Sequence, residues 1–302
     1  MARSVVPVDL FNPGQVFACL GLMELAEQLI GPTMGGFVWQ AHDESEFVLE
    51  CEAEDDPLAT VLRFLAEAEV RSLVPPNADL TTEKWSVSSL GLGRFDAFPV
   101  PQPESPASLP AVLSARGVEV IVASWGDARV RDRISTGRDA LKFWGGSGGY
   151  PGAALLRDAL DLARDQLEDA SERPFDVARP QSSSFRFDWR RDYVPLDAGF
   201  SLNEHASMAP QGYPVVEILA AIGLSHARPE RQSKLRYRYG VVGHAAPLGQ
   251  AHLGLLPAAI LRAGLGGSPL PFDRRAFIMQ LDWPGQENQA RCITSVFEET
   301  IQ

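Results

Sequence analysis

Residues 12–30, NPGQVFACLGLMELAEQLI, carry the clearest helix signal in the chain. Asn12 is a residue type that caps helix N-termini, and Pro13 follows it at the first helical position, where its fixed backbone angle suits a helix start. The pattern ends at Gly31-Pro32, a typical helix stop. The apolar residues return at helical spacing and form one face, which comprises Val16, Phe17, Leu20, Met23, Ala26 and Ile30.

The segments on either side of this helix have the pattern of strands. Residues 5–10 precede it, and residues 36–40 and 46–51 follow it, the second of these with alternating acidic and apolar positions. Asp56-Pro57 then begins a second helix. The resulting β-α-β-β-α order predicts a compact α+β unit over residues 1–72.

The remainder of the chain divides into a connection and a second part. Seven prolines and few apolar runs mark residues 73–116 as a proline-rich connection or insertion. Residues 117–302 are expected to form a larger mixed α/β domain, so the predicted fold class is α+β (mixed). Its expected elements are a strand at 118–124, a charged loop at 127–139, a helix from Pro151, strands at 183–189 and 193–200, a helix at 214–226, a strand at 235–242, a helix at 253–263 and a strand at 275–282.

The charge of the chain is strongly negative but unevenly spread. A net charge of −12 and a pI of about 4.9 are unusual for an autonomous nucleic-acid binder, which needs cations to neutralise phosphates. Residues 40–70 hold ten acids and one base, whereas residues 228–238 hold five bases and one acid. Only three of the 27 basic residues are lysine. Arginine suits phosphates and stacks on bases, although a GC-rich genome would produce the same preference.

A glycine-rich loop, KFWGGSGGYPG at residues 142–152, leads into the helix expected from Pro151. Glycine backbone N–H groups can converge on an anion, and a helix N-terminus adds partial positive charge. Lys142, Gly146, Ser147 and Gly148 are therefore candidate contacts for a phosphate; the alternative is a plain surface turn.

The same loop contains two motifs of enzymes in incomplete form. No Lys-Ser or Lys-Thr follows the glycines, so it is not a nucleotide-binding P-loop. Gly145, Ser147 and Gly149 match the pattern of a hydrolase nucleophile elbow. That motif needs a buried strand before the serine and a helix directly after it, and this context lacks both signals.

Two further segments combine arginine with aromatic residues. If residues 185–193 form a strand, Arg186 and Arg190 lie on one face, while Arg191 shares the other with the aromatic residues. In the strand expected at 235–242, Tyr237 and Tyr239 would face inward. Lys234, Arg236 and Arg238 would then form a basic row on the opposite face. All six cations are candidate nucleic-acid contacts, and the alternative for each segment is a solvated strand face.

Several classes of protein find no support in the sequence. No run approaches the roughly 18 apolar residues of a membrane span, and the N-terminus lacks the features of a signal peptide, so a cytoplasmic location is expected. The three cysteines are far apart, and the five histidines show no ligand spacing. We therefore expect no metal, no cofactor and no catalytic centre.

Four segments resemble one protein family: residues 7–21, 142–152, 180–191 and 281–286 are similar to the short large-subunit proteins of type I-G (formerly I-U) CRISPR systems. The similarity spans nearly the whole chain. It implies a non-catalytic large subunit of Cascade, the antiviral surveillance ribonucleoprotein.

Such a subunit contacts guide RNA and target double-stranded DNA, aids recognition of the flanking motif (PAM) and duplex opening, and docks a helicase-nuclease. Its other partners are the remaining Cascade subunits, and none is a membrane. Tethering within the complex would let an acidic chain use a local basic patch. Two alternatives stay open: a structural adaptor without nucleic-acid contact, and a serine hydrolase using Ser147.

Overall fold

The protein is described by a computed structural model that covers residues 1–40, 44–72, 87, 111–122, 126–131, 133–140, 152–192, 210–233, 235–246, 254–282 and 291–300. The fold is α+β, as the sequence predicts. The helices are α1 Pro13–Ile30, α2 Pro57–Glu67, α3 Gly152–Ala163, α4 Pro214–His226 and α5 Ala258–Leu265. The strands are β1 Ala2–Pro7, β2 Thr33–Trp39, β3 Ser45–Cys51, β4 Glu69–Ser72, β5 Ala111–Ala115, β6 Val118–Val122, β7 Gly126–Arg131, β8 Arg133–Ala140, β9 Arg179–Pro180, β10 Gln211–Gly212, β11 Glu230–Ser233, β12 Arg236–Ala245, β13 Leu256–Pro257, β14 Arg274–Asp282 and β15 Cys292–Glu299.

The first two helices begin where their caps predict. The Asn12 side chain accepts a hydrogen bond from the backbone N–H of Gln15, and Asp56 does the same for Ala59 at 2.8 Å. The prediction of a single apolar face on α1 is too narrow, because residues 13–26 are buried on every side of the helix. α1 is therefore a central helix of the core rather than a surface helix.

One mixed sheet organises the molecule, with strand order β1-β3-β2-β12-β14-β15, while β11 pairs with β12 and β13 with β2. The pairing of β2 with β12 is parallel and involves three residue pairs; the other pairings of this sheet are antiparallel. This pairing joins strands of the N-terminal 72 residues to strands of the C-terminal part. The two parts share one hydrophobic core, in which the Tyr239 hydroxyl donates to the Leu10 carbonyl at 2.8 Å.

Two glycines let α1 and α4 cross with their backbones in contact. A Cβ atom on Gly21 would lie 1.8 Å from the carbonyl oxygen of Leu219, and one on Gly223 would lie 2.0 Å from that of Phe17. These distances are far below van der Waals contact, so no other residue type fits at either position without moving a helix. The glycines thus set the distance between α1, which packs on β2 and β3, and α4.

Some elements differ from the sequence prediction. The charged loop expected at 127–139 is instead the antiparallel hairpin β7–β8. The strand expected at 183–189 is irregular, with Arg186 in the left-handed region (φ 62°) and a 3₁₀ turn at Trp189–Asp192. Strand β5 lies within the expected proline-rich connection and pairs with β4 and β6. The strand expected at 193–200 lies outside the described residues, and β15 was not predicted.

Replacing Gly21 with alanine tests the helix crossing. Within an isolated helix this change is favourable by about 1 kcal/mol. Here we expect Gly21→Ala to lower the free energy of unfolding by about 3 kcal/mol, because the new methyl group overlaps the Leu219 carbonyl. Urea denaturation followed by circular dichroism measures the change.

Gly36→Ala is the matched control, since the nearest atom to its added Cβ lies at an ordinary 3.4 Å. It should lower the stability far less than Gly21→Ala. Equal stabilities for Gly21→Ala and the wild type would contradict the close backbone crossing.

Candidate nucleic-acid interface

One face of the sheet is turned away from α1. On this face α5 covers β12 at Gly240 and Val242, and the Arg236 and Arg238 end of β12 carries cations. The predicted inward orientation of Tyr237 and Tyr239 is confirmed, since both are buried. Arg236 and Arg238 point the other way because side chains alternate along a strand. Cross-strand register places further residues of β14 and β15 on the same side. We call this set the outer face: Arg236, Arg238, Gln280, Phe297 and Glu299.

Arg238 is neutralised by two carboxylates, one from the adjacent strand β11 and one from β15 on the far side of β14. Its Nε lies 2.6 Å from Glu299 Oε2, and its Nη1 lies 3.5 Å from Glu230 Oε2. Glu299 is 61 residues away in the sequence. The sequence around Lys234, Arg236 and Arg238 therefore gave no sign that this carboxylate pairs with Arg238. Because its charge is balanced, Arg238 adds little to the attraction of a phosphate.

Arg236 has a different environment. Its side chain is exposed, and its guanidinium carbon lies 5.3 Å from the ring centroid of Phe297. Among the described residues no carboxylate pairs with it. Phe297 is itself 44% exposed. Within the described residues the outer face therefore presents one unpaired cation beside an accessible aromatic ring, and Phe297 belongs to no motif of the sequence.

Arg190, a predicted nucleic-acid contact, is held within the protein. Its guanidinium binds the Asp188 carboxylate, with Nη2–Oδ2 at 2.6 Å, and donates to the Phe175 carbonyl at 2.8 Å. It also lies 3.5 Å from the ring centroid of Tyr213. The prediction that it lies on an open strand face is wrong, because the segment is not a strand.

Arg191 and Arg186 also depart from the strand prediction. Arg191 is 5% exposed and donates from Nη2 to the carbonyls of Gln181 and Ser182, both at 3.1 Å. Arg186 is half-buried, and its backbone N–H donates to Ser184 Oγ. Arg190 and Arg191 thus stabilise the irregular segment 181–191 from inside rather than offering cations to a ligand.

The same segment encloses two carboxyl groups. Asp188 is fully buried and accepts from Asn12 Nδ2 at 2.9 Å. Glu217 of α4 accepts the backbone N–H groups of Phe187 and Asp188 through Oε1, at 3.0 and 3.2 Å. Burial raises the pKa of Glu217 to about 8, and the nearby Asp188 carboxylate contributes in the same direction. The sequence did carry a signal for this buried acid, which was missed: Glu217 is the one charged residue among the apolar residues 214–224 of α4.

Glu217 makes the stability of the protein depend on pH. Between about pH 4.5 and pH 8 the folded state keeps a proton that the unfolded state releases, so the free energy of unfolding falls as pH rises through this window. Glutamine keeps the accepting oxygen and does not titrate. We therefore expect Glu217→Gln to flatten the fall and to raise stability at pH 8 by on the order of a few kcal/mol. Urea denaturation across pH 5–9 measures it.

Glu168→Gln, at an exposed position, is the control and should leave the pH profile as in the wild type. A Glu217→Gln profile that keeps the wild-type slope would rule out a buried, protonated Glu217.

Five of the predicted site residues cannot be placed, and two other kinds of feature are not found among the described residues. Lys142, Gly146, Ser147, Gly148 and Lys234 lie outside the described residues. Over the described ranges, no three histidine, cysteine or acidic residues are grouped so that they could hold a metal ion. In that same part of the chain, no helix combines the length and apolar character needed to cross a membrane.

Comparison of the chain with protein-family models, curated proteins and solved structures finds no match.

Proposed function

We propose that the chain is a non-catalytic large subunit of a type I CRISPR Cascade complex, which contacts guide RNA and target DNA through its outer face. Two things support this: the resemblance of four segments to the type I-G large subunits, and the chemistry of Arg236. In this proposal the subunit aids PAM recognition and duplex opening and docks the helicase-nuclease, which performs the cleavage.

The environment of Arg236 is the single observation on which the proposed nucleic-acid contact rests. The Arg236 guanidinium is exposed and no carboxylate within the described ranges pairs with it, so its charge is available to a phosphate, which it can bind through two N–H groups. Lys234 precedes it by two residues, and it remains a candidate with the loop residues Lys142 and Gly146–Gly148. Arg190, Arg191 and Arg238 are left out of the path because their charges are engaged by other groups.

The acidic charge of the chain fits a subunit that is held in place by protein neighbours. Acidic side chains at Glu44, Glu50, Glu52 and Glu54 lie on or next to β3, whereas Arg236 lies on the far side of β2 in the sheet. A free chain of net charge −12 would approach DNA against its own field. Anchoring by other subunits supplies the effective concentration that one local cation does not.

Arg236→Ala in the assembled complex tests the proposal. Loss of one phosphate contact should weaken target-DNA binding severalfold near physiological salt and reduce the slope of log K against log salt by about one. Gel-shift titrations over a series of salt concentrations measure both quantities.

Arg173→Ala is the control, since Arg173 is also exposed but pairs with Asp176 in a different segment. It should leave affinity and slope unchanged. If Arg236→Ala also leaves both unchanged, and the chain in the complex gives no crosslink to labelled guide or target, the subunit is a structural adaptor and the proposal is wrong.

A further inference from the structure

Phe297 is a large apolar side chain exposed on the outer face beside a buried neighbour of the sheet. It lies in β15 opposite Ile278 of β14, and Ile278 is buried while Phe297 remains 44% exposed. Val296, its neighbour in β15, packs against the core on the other side of the sheet. An aromatic ring fixed on a strand and open to solvent is a rigid, flat surface that loses little entropy when a ligand covers it.

The charges around this ring select the type of ligand. Arg238 is paired with Glu230 and Glu299, so Arg236 is the unpaired cation of the outer face as far as the described residues define it. One such cation gives weak attraction to a phosphate backbone, and the two glutamates oppose it. A neutral, flat base is not repelled by these carboxylates and can stack on both the phenyl ring and the guanidinium plane.

We propose that the outer face binds an unpaired nucleobase, which stacks on Phe297 with Arg236 beside it. This inference rests on the proposed function and makes it more specific: the ligand of this face is a single strand rather than a duplex. In a duplex the bases are stacked on one another and leave no ring face for Phe297. The exposed hydroxyl of Ser295, two residues earlier on the same side of β15, is placed to hydrogen-bond to the edge of such a base.

The experiment measures binding of the full chain to short oligonucleotides that carry 2-aminopurine, a base whose fluorescence falls on stacking. Low salt and high concentrations of protein and oligonucleotide replace the effective concentration that anchoring in the complex supplies. Single-stranded RNA, single-stranded DNA and the duplex of the same sequence are the three probes. We expect binding and quenching with one or both single strands, and at least tenfold weaker binding of the duplex. Phe297→Ala should weaken single-strand binding about tenfold at every salt concentration, and Phe297→Tyr should retain it.

Two control variants separate stacking from other effects. Phe272→Ala removes another exposed phenylalanine, 39% accessible, and should leave affinity unchanged. Arg236→Ala should reduce the salt dependence of binding, whereas Phe297→Ala should leave the salt slope as it is.

The outcomes distinguish this inference from the proposed function. Wild-type affinity for single strands in Phe297→Ala, with Arg236→Ala still defective in the complex, overturns base stacking and leaves the proposed function standing. Impaired assembly of Phe297→Ala with the other subunits, without loss of single-strand binding, overturns it in favour of a protein contact. Failure of the wild-type complex to contact guide or target at all refutes the proposed function.

Discussion

The contact between α1 and α4 is the constraint on which the rest of the fold depends. The N-terminal strands β1, β3 and β2 join the C-terminal strands β12, β14 and β15 through three residue pairs between β2 and β12. So short a pairing needs support from packing on the face of the sheet. Helix α1 supplies it, because it packs on β2 and its Phe17 ring lies against Tyr239 of β12. Gly21 and Gly223 in turn let α4 meet α1 backbone to backbone. At most helix positions an added methyl group is tolerated, whereas at Gly21 and Gly223 it would overlap the backbone of the other helix.

A buried polar cluster adds to the packing of α1 and α4. Asn12 caps α1 through its oxygen and donates its amide N–H to Asp188, while Glu217 of α4 receives two backbone N–H groups from the segment that contains Asp188. Buried polar groups are costly unless they are hydrogen-bonded, so this cluster specifies one arrangement of the irregular segment against both helices. The arginines of that segment, Arg190 and Arg191, are part of the same structural cluster. Their role in the fold explains why they are not offered to a ligand.

On the outer face, pairing between side chains of different strands decides which charged groups can contact a ligand. Arg236 and Arg238 are two residues apart on one strand, yet one is exposed beside an aromatic ring and the other is paired with two glutamates. In the part of this face that the structure describes, one cation is available beside one exposed ring, which favours contact with a base over binding of a phosphate backbone. For the proposed subunit, this difference between the two arginines is the reason for proposing an unpaired base of a single strand as the ligand.

The sequence by itself determined those features of helices and strands that depend on residues close together in the chain. Asn12 with Pro13 and Asp56 with Pro57 set two helix starts, and alternation along residues 236–239 set which side of that part of β12 is buried, because caps and strand periodicity act over a few residues. The tertiary structure alone decided which arginines are available. The partners of Arg238 include Glu299, and Glu217 lies about thirty residues from the backbone groups it binds. Charge pairing and burial depend on neighbours brought together from distant parts of the chain, and no short pattern records them.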